Sequence, residues 1–247
     1  MTLNEENVWD YPRPAICQPH KGTIEVIVDN KTIAKTNNAF RVIETSHPPT
    51  YYFPPSDVDE NLLKPVADYL DTLDFHKVKT KYTKGSDWTA IALKGYSKDP
   101  LDVTKPGVLK TKAKSDSKLQ WTELYSVPEM KPILDILETI PCRMERVRFM
   151  KLEAGKVIGK HTDKIDKDLG IDDGQITRIH MPVRTNDLVT FSIWDDNKFK
   201  QDYKLKTGHF YYTDVRKAHA VENLSDTDRI HLVMDCYINE DVRAMIC

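Results

Sequence analysis

The sequence predicts a mainly β protein with flanking helices, whose C-terminal part folds as a jelly-roll or distorted barrel of two facing antiparallel sheets. Eight short β-like runs follow one another there, and glycines that favour turns lie between several of them. Strands at this spacing are typical of two-sheet folds. The runs are Arg146–Leu152, Lys156–His161, Ile176–Val183, Leu188–Trp194, Lys198–Leu205, His209–Tyr212, Ala218–Glu222 and Arg229–Tyr237.

The region before these runs is predicted to mix helix and strand. Asp59–Leu73 has apolar residues at helical spacing and acidic residues in its first turn, so we expect a helix there. Pro128–Ile140 predicts a second helix, with proline allowed in its first turn. Trp88–Leu93 predicts a strand, whereas Ser97–Lys118 lacks periodicity and predicts a long loop.

The N-terminal region is rich in proline and aromatic residues. Thr23–Val28 and Thr32–Ala34 alternate in polarity, which predicts two short strands joined by a tight turn, and Ala39–Glu44 is a candidate third strand. The Pro-Pro pairs at 48–49 and 54–55 predict an extended connector without regular structure.

Composition restricts the class of protein. The 247 residues, 40% apolar and 30% charged, suit one large β-rich domain with a small addition. We divide the chain into an N-terminal appendage (1–58), a mixed support region (59–143) and a β-rich core (144–247). A net charge of -2 predicts no general attraction to nucleic acid or to anionic membranes, and the basic stretch Lys105–Lys118 is interpreted as a solvated loop.

The sequence also predicts a cellular setting. It contains no apolar run long enough to cross a bilayer and no signal-peptide pattern at its start. The four cysteines show no metal-binding spacing, and Cys142 and Cys236 lie among apolar residues. We therefore expect reduced thiols in a cytoplasmic protein.

The most informative motif is His161-Thr162-Asp163, followed at a distance by His219. A histidine and a carboxylate two positions apart on a strand lie on the same face. Two imidazoles and one carboxylate on one side of Fe(II) leave the opposite positions open, which is the arrangement of non-haem iron oxygenases. Taken alone, the spacing is common, and on that evidence polar residues of a surface loop are the favoured interpretation.

Two arginines accompany this motif. Arg178 and His180 alternate in RIHMPV and share one face of a predicted strand, while Arg229 begins RIHLVMD. A 2-oxo acid bound to iron needs a cation for its distant carboxylate, and the planar fork of arginine suits that role. The alternatives are an exposed arginine at a strand start for Arg229 and a cross-strand ion pair for Arg178.

In this order, HTD, RIHMPV, KAHAVEN and RIHLVMD resemble the aspartyl/asparaginyl β-hydroxylase family, including its proline hydroxylase-like members, over about residues 120–240. That family belongs to the Fe(II)/2-oxoglutarate dioxygenases and has a double-stranded β-helix (jelly-roll, cupin-like) core. The resemblance implies that the metal ligands are His161, Asp163 and His219. It also implies that Arg229 binds the distal carboxylate of 2-oxoglutarate, and that Arg178 and His180 lie near the metal-bound end of this co-substrate. Because Asp163 is present, the resemblance implies a complete set of three ligands and counts against halogenation.

The implied activity is hydroxylation of an amino acid or amino-acid residue of the Asp, Asn or Pro type with O2, releasing succinate and CO2. The loop Lys164–Gln175 is expected to help select the substrate, together with Arg184, Ser192 and Trp194. Two alternatives stay open: a non-catalytic metal-binding β-barrel acting as a sensor or binding module, and a related oxygenase acting on nucleic acid or protein side chains. The expected partner is a small-molecule amino acid or peptide. We expect no contact with a membrane or with nucleic acid.

Two further residues share the strand face of Arg229. His231 is interpreted as a satisfied core histidine, with a place beside the co-substrate as the alternative. Asp235 is interpreted as a structural hydrogen-bonding carboxylate. Separately, residues 9–58 resemble the first half of a small β-rich domain family of unknown function, and we expect them to pack onto the oxygenase region.

Overall fold

The computed structural model describes residues 6–28, 31–54, 57, 60–77, 88–103, 119–163 and 169–246. The chain divides into two compact units, residues 1–62 and 63–247. The first unit contains five strands: β1 (Ile16–Pro19), β2 (Ile24–Val28), β3 (Lys31–Thr36), β4 (Phe40–Glu44) and β5 (His47–Tyr52). They form one sheet in the order β1-β4-β5 and a separate β2-β3 hairpin. The three predicted N-terminal strands are therefore present, and the predicted turn at 29–30 lies outside the described residues.

Strand β5 corrects the predicted connector, because Pro48 and Pro49 lie inside it. A proline has no N–H to donate to a neighbouring strand, so it is tolerated in a sheet at an edge or at a bulge. Strand β5 meets both conditions. It is an edge strand, and its pairing with β4 is irregular between Val42 and Glu44, where the two prolines fall.

The second unit contains three short helices, α1 (Lys64–Asp71), α2 (Lys131–Glu138) and α3 (Glu240–Ile246). Both predicted helices begin later than expected, each after a 3-10 turn. The reason is Pro65 and Pro132, because proline is accommodated in an α-helix within the first turn and not further inside. Helix α3 was not predicted, although Asn239 marks its start by accepting a hydrogen bond at Oδ1 from the Val242 N–H at 2.8 Å.

Two antiparallel sheets form the core of this unit. Its strands are β6 (His76–Lys77), β7 (Trp88–Gly95), β8 (Gln120–Trp121), β9 (Met144–Leu152), β10 (Val157–His161), β11 (Ile176–Arg184), β12 (Val189–Trp194), β13 (Lys200–Tyr203), β14 (Tyr211–Tyr212), β15 (His219–Asn223) and β16 (Arg229–Tyr237). The larger sheet has the order β14-β11-β16-β9-β7-β6, with β8 on β7, and the smaller has the order β10-β15-β12-β13. All eight predicted runs are strands, and the predicted mainly β fold with a double-stranded β-helix core is confirmed.

The two faces of the larger sheet differ in character because side chains alternate along each strand. On its outer face, residues such as Met181, Leu232 and Phe149 are fully buried in the main hydrophobic core. The same core includes Leu70 of α1 and Ile133 of α2, so the helices cover this face. The apolar core that stabilises the fold therefore lies outside the barrel.

The inner face of the larger sheet is polar although it is buried. It carries arginine, histidine and aspartate at alternate positions of β9, β11 and β16: Arg146, Arg148, Arg178, His180, Arg229, His231 and Asp235. The smaller sheet faces it, since the rings of His180 on β11 and Phe191 on β12 are 5.8 Å apart. Burying polar and charged groups is unfavourable unless they have hydrogen-bond or ion-pair partners. A buried interior that is this polar therefore indicates a binding site.

The remaining composition-based predictions have mixed outcomes. No helix in the described part of the chain is long and apolar enough to cross a membrane. Cys17, Cys142 and Cys236 are free thiols, and Cys236 is buried as expected. Residues 97–103 of the predicted long loop lack regular structure, while its remainder, including the basic stretch, lies outside the described residues.

Candidate active site

The structure brings His161, Asp163 and His219 together at one end of the barrel. His161 ends β10 and His219 begins the adjacent β15, where the two residues are paired in register. Their ring centroids are 4.2 Å apart. One ligand atom from each of the three side chains lies within 4.8 Å of the others, which is close enough to share one cation.

Asp163 reaches the site differently from the sequence-based expectation. Strand β10 ends at His161, so the carboxylate does not share a strand face with that histidine. Instead, the Asp163 N–H donates to the Val215 carbonyl at 2.9 Å, which fixes the backbone just beyond the strand. Its Oδ1 then lies 3.7 Å from Nε2 of His161.

Both histidines present the same nitrogen to this cluster. Nδ1 of His161 lies 2.8 Å from the Gly159 carbonyl, and Nδ1 of His219 lies 3.0 Å from the Lys217 carbonyl. A carbonyl can only accept, so each Nδ1 donates and each Nε2 keeps its lone pair for a metal. Burial and the neighbouring His161 lower the pKa of His219, which favours the neutral ligand form.

Arg178 lies directly beside Asp163. Its Nη1 donates to Oδ2 of Asp163 at 2.5 Å, and its Nε donates to Oδ1 of Asp235 at 2.8 Å. Arg178 and Asp235 are opposite each other on β11 and β16, so the cross-strand ion pair left open for Arg178 is present. Arg178 thus lies at the end of the interior that contains the His-Asp-His cluster.

Asp235 is the centre of a buried charge cluster that sequence reasoning did not find. Besides Arg178, it contacts Nη2 of Arg146 at 2.8 Å and Nη2 of Arg148 at 2.9 Å. Burial alone would raise the pKa of Asp235, but the three guanidinium groups outweigh it and hold that pKa well below its ordinary value. The sequence did contain a signal for this cluster. In MERVRFM, Arg146 and Arg148 alternate with the apolar residues Val147 and Phe149, so the arginines lie on the strand face opposite the apolar one.

Arg229 lies at the other end of β16 and is buried, with 4% of its surface exposed, so the alternative of an exposed arginine is wrong. Its Nη2 donates to Nδ1 of His231 at 2.7 Å. Within the described part of the chain, no carboxylate forms an ion pair with Arg229, and its Nε has no hydrogen-bond partner. Burial lowers the pKa of Arg229, yet a guanidinium starts so high that it stays charged at neutral pH. Among the described residues, this buried cation therefore has no anionic partner.

His180 lies between these two ends. Its ring is 5.8 Å from Phe191 and 5.9 Å from His231, and neither ring nitrogen has a partner among the described residues. Burial, followed by the charges of Arg229 and Arg178, holds the pKa of His180 well below its ordinary value. Phe191 in turn stacks on His219 with ring centroids 6.0 Å apart. The interior thus offers unpartnered polar groups along a path towards the His-Asp-His cluster.

The model of the aspartyl/asparaginyl β-hydroxylase family matches residues 57–238, more than half of the chain. The chain belongs to this family. A second model, described as a domain of unknown function (DUF427), matches residues 16–84, which reaches further than the N-terminal resemblance found in the sequence. No curated protein matches the chain.

Solved structures similar to this hydroxylase-family chain include two bacterial proteins. An oxidoreductase of the 2OG-Fe(II) oxygenase family from Burkholderia pseudomallei is 12% identical with a TM-score of 0.46, over 76% of this chain and 82% of that one. A prolyl-4-hydroxylase from Pseudomonas putida is 11% identical with a TM-score of 0.40, over 73% and 88% of the two chains. Likenesses this distant add nothing to the choice of substrate.

The residues suggested for substrate selection are dispersed. Residues 164–168 of the acidic loop lie outside the described residues. Arg184 forms an ion pair with Asp71 of α1, with Nη1 at 2.5 Å from Oδ2. Trp194 instead lines a cleft of about 590 Å³ that also contains Thr162 and Ala218. None of His161, Asp163 and His219 is among the residues that line this cleft.

Proposed function

We propose that this chain is an Fe(II)- and 2-oxoglutarate-dependent dioxygenase that hydroxylates an amino acid or an amino-acid residue. Membership of the aspartyl/asparaginyl β-hydroxylase family already makes it an oxidoreductase of the hydroxylase type. The observation that carries the finer proposal is Arg229, a buried cation inside the same barrel as the His-Asp-His cluster and without a carboxylate partner among the described residues. A dicarboxylic co-substrate would supply that partner.

The three residues of the cluster fit a divalent iron ion. His161, Asp163 and His219 together offer two imidazole nitrogens and one carboxylate oxygen, a donor set typical of non-haem Fe(II). Both imidazoles are already oriented by backbone carbonyls. When bound, Fe(II) with 2-oxoglutarate and O2 supplies the oxidising power to hydroxylate an unactivated C–H bond, with release of succinate and CO2.

The chain itself binds and orients the reactants. Arg229 would hold the distal carboxylate of 2-oxoglutarate, because a guanidinium binds a carboxylate through two parallel hydrogen bonds. Arg178 and His180 would lie near its metal-bound end, where Arg178 already holds Asp163. Phe191 and Val221 of the smaller sheet form the apolar wall opposite, which helps to exclude water.

We further propose a small amino acid or peptide as the substrate, in a cytoplasmic protein that contacts neither nucleic acid nor a membrane. The support is chemical. The net charge is -2, which gives the chain no general attraction to a polyanion such as nucleic acid or an anionic membrane.

The test is succinate production from 2-oxoglutarate by the Fe(II)-loaded protein, screened over free amino acids and short peptides. We expect a slow basal turnover that one substrate class stimulates. Absence of both basal and stimulated turnover would contradict the enzymatic proposal. Metal binding without any binding of 2-oxoglutarate would favour a non-catalytic sensor, and competition by DNA or RNA would favour an oxygenase of nucleic acid.

A further inference from the structure

We propose that Cys142 and Cys236 form a modification site, at which a peroxide converts the two thiols into a reversible intramolecular disulfide. Both are free thiols in this structure. Cys236 belongs to the hydrophobic core on the outer face of the larger sheet, so the pair lies apart from the polar interior of the barrel. The site therefore adds a reactivity that the proposed function does not contain.

The backbone holds the segment around Cys142 against the end of β16. Cys236 is opposite Met144, the first residue of β9, and Cys142 precedes Met144 by two positions. The contact continues on the side of Cys142, because the Tyr237 N–H donates to the Arg143 carbonyl at 2.9 Å. Diagonal positions of this kind bring side chains of adjacent strands within reach of each other. Main-chain contacts thus fix the two cysteines as neighbours.

The side chains of the two cysteines also meet. Their thiol groups share a hydrogen bond, and Cys142 packs against the buried cluster that contains Cys236. A disulfide requires Cβ atoms that are about 3.5–4.5 Å apart. Two thiols that are already in contact can reach this geometry by rotation about their side-chain bonds, without a rearrangement of the strands.

The two thiols differ in their access to solvent. Cys142 is partly exposed and lines a cleft of about 180 Å³, together with Lys94 and Trp121. Cys236 is completely buried. A small oxidant such as hydrogen peroxide therefore reaches Cys142 first, and Cys236 reacts only with the sulfur that it already contacts.

The surroundings of Cys142 favour its thiolate, which is the form that reacts with an oxidant. The hydrogen bond from Cys236 lowers the pKa of Cys142 below its ordinary value, opposed by burial and assisted by the charge of Lys94. The same hydrogen bond, together with burial, raises the pKa of Cys236. One thiol of the pair thus loses its proton more easily, while the other keeps its proton and donates.

The proposed reaction has two steps. The Cys142 thiolate attacks one oxygen of hydrogen peroxide, the O–O bond breaks, and hydroxide leaves as Cys142 becomes a sulfenic acid. The sulfur of Cys236 then attacks the sulfenic sulfur, the S–O bond breaks, and the hydroxyl group leaves as water with the proton of Cys236. In total, two thiols lose two electrons and two protons, and one peroxide becomes two water molecules. A dithiol reductant reverses the reaction by thiol–disulfide exchange.

The experiment treats the full-length protein with one equivalent of hydrogen peroxide, after a chelator has removed metal, because iron would itself activate the peroxide. The remaining thiols are alkylated, and a peptide map without reduction locates the disulfide. We expect a linked pair of peptides that contain Cys142 and Cys236, and dithiothreitol should release both thiols. Cys17, an exposed thiol of the first unit, is the internal control and should be consumed several-fold more slowly than Cys142.

Two variants separate the steps of the reaction. In C236S, oxidation of Cys142 should stop at the sulfenic acid, which dimedone traps, and no linked peptides should form. In C142S, Cys236 should keep its thiol because it is buried. The matched control is C17S, which should form the disulfide at the rate of the wild type. The wild-type map needs no substitution, so it tests the proposal even if a serine in the core prevents folding.

A wild-type map without a link between Cys142 and Cys236 would overturn the proposal. A link from Cys142 to Cys17 or to Cys247 would do the same, as would consumption of Cys17 at the rate of Cys142. None of these measurements involves a metal or 2-oxoglutarate, so their outcome is independent of the proposed function.

Discussion

Arg178 donates from Nη1 to Oδ2 of Asp163 at 2.5 Å, so a fixed guanidinium supports one of the three candidate metal ligands. The Nε–H of the same guanidinium donates to Oδ1 of Asp235 on the adjacent strand β16, which fixes the orientation of Arg178. Loss of a partner that orients a metal ligand in this way typically lowers metal affinity about 10- to 100-fold. The path from Asp163 through Arg178 to Asp235 therefore links the candidate metal site to the interior of the larger sheet.

The first prediction concerns the ligands themselves. Replacing His161 with alanine should abolish both binding of a divalent metal and turnover, because two remaining donors hold an Fe(II)-type ion weakly. A metal titration followed by calorimetry measures this directly. His209→Ala is the control and should bind metal like wild type. Undiminished metal affinity in H161A would remove this histidine from the site.

The second prediction concerns Arg178. Substitution by lysine keeps the charge, but an ammonium cannot hold Asp163 and Asp235 in the same fork geometry. We expect R178K to lower metal affinity about 10- to 100-fold, the usual effect of removing an outer partner of a ligand. Lysine in place of Arg216, which pairs with Asp214 at 2.7 Å, is a matched control that should change little. A metal affinity for R178K equal to that of wild type would show that Asp163 needs no such support.

The third prediction separates the two ends of the barrel interior. Arg229→Ala should weaken binding of 2-oxoglutarate while leaving metal affinity unchanged, since Arg229 forms no ion pair with a described ligand residue. Loss of a charge-assisted contact of this kind corresponds to roughly 1.5–3 kcal/mol, or about 10- to 100-fold in affinity. Calorimetric titration of the Zn²⁺-loaded variant provides the measurement. An unchanged co-substrate affinity would refute the role given to Arg229.

The fourth prediction concerns stability. Asp235→Asn would leave Arg146, Arg148 and Arg178 buried without their shared carboxylate. Breaking a buried ion pair by removing one partner typically costs about 3–5 kcal/mol, so the midpoint of urea unfolding should fall markedly. A substitution of the exposed Asp196, which pairs with Lys217 at 3.3 Å, should have an effect near zero.

The same carboxylate predicts a dependence of stability on pH. The folded-state pKa of Asp235 is lowered below its unfolded value, which is about 3.9. Its contribution is therefore complete above about pH 5 and is lost as the pH falls through and below 3.9. Between pH 5 and pH 3, the free energy of unfolding should decrease more steeply for wild type than for D235N. Parallel slopes would mean that the pKa of Asp235 is the same in the folded and the unfolded protein.

Much of the fold followed from local patterns, and the errors have local causes as well. The eight core strands were predicted because alternation and turn residues act over a few positions. The helix starts were misplaced because Pro65 and Pro132 limit where an α-helix can begin. Strand β5 was missed because two prolines argue against a strand unless it is known to lie at an edge.

The candidate site shows a similar division. The residue types and their order predicted six site residues, and all six lie in the second unit. Five of them are on strands of the two facing sheets, and Asp163 follows the end of β10. The six are His161, Asp163, His219, Arg178, His180 and Arg229. The support of Asp163 by Arg178 and the cluster around Asp235 were not predicted. They depend on which residues of β9, β11 and β16 stand opposite one another, and register between distant strands is a property of the assembled sheet.

The sequence by itself determined the family, the β-rich core and the set of polar residues available for a metal and an anion. The tertiary structure decided how those residues are paired, because hydrogen-bond partners are set by distances between strands that are far apart in the chain. It decided in particular that Asp163 is supported and that Arg229 contacts His231 at 2.7 Å. Alternation placed His231 on an inward face, but whether its second nitrogen is satisfied depends on neighbours that packing alone brings within reach.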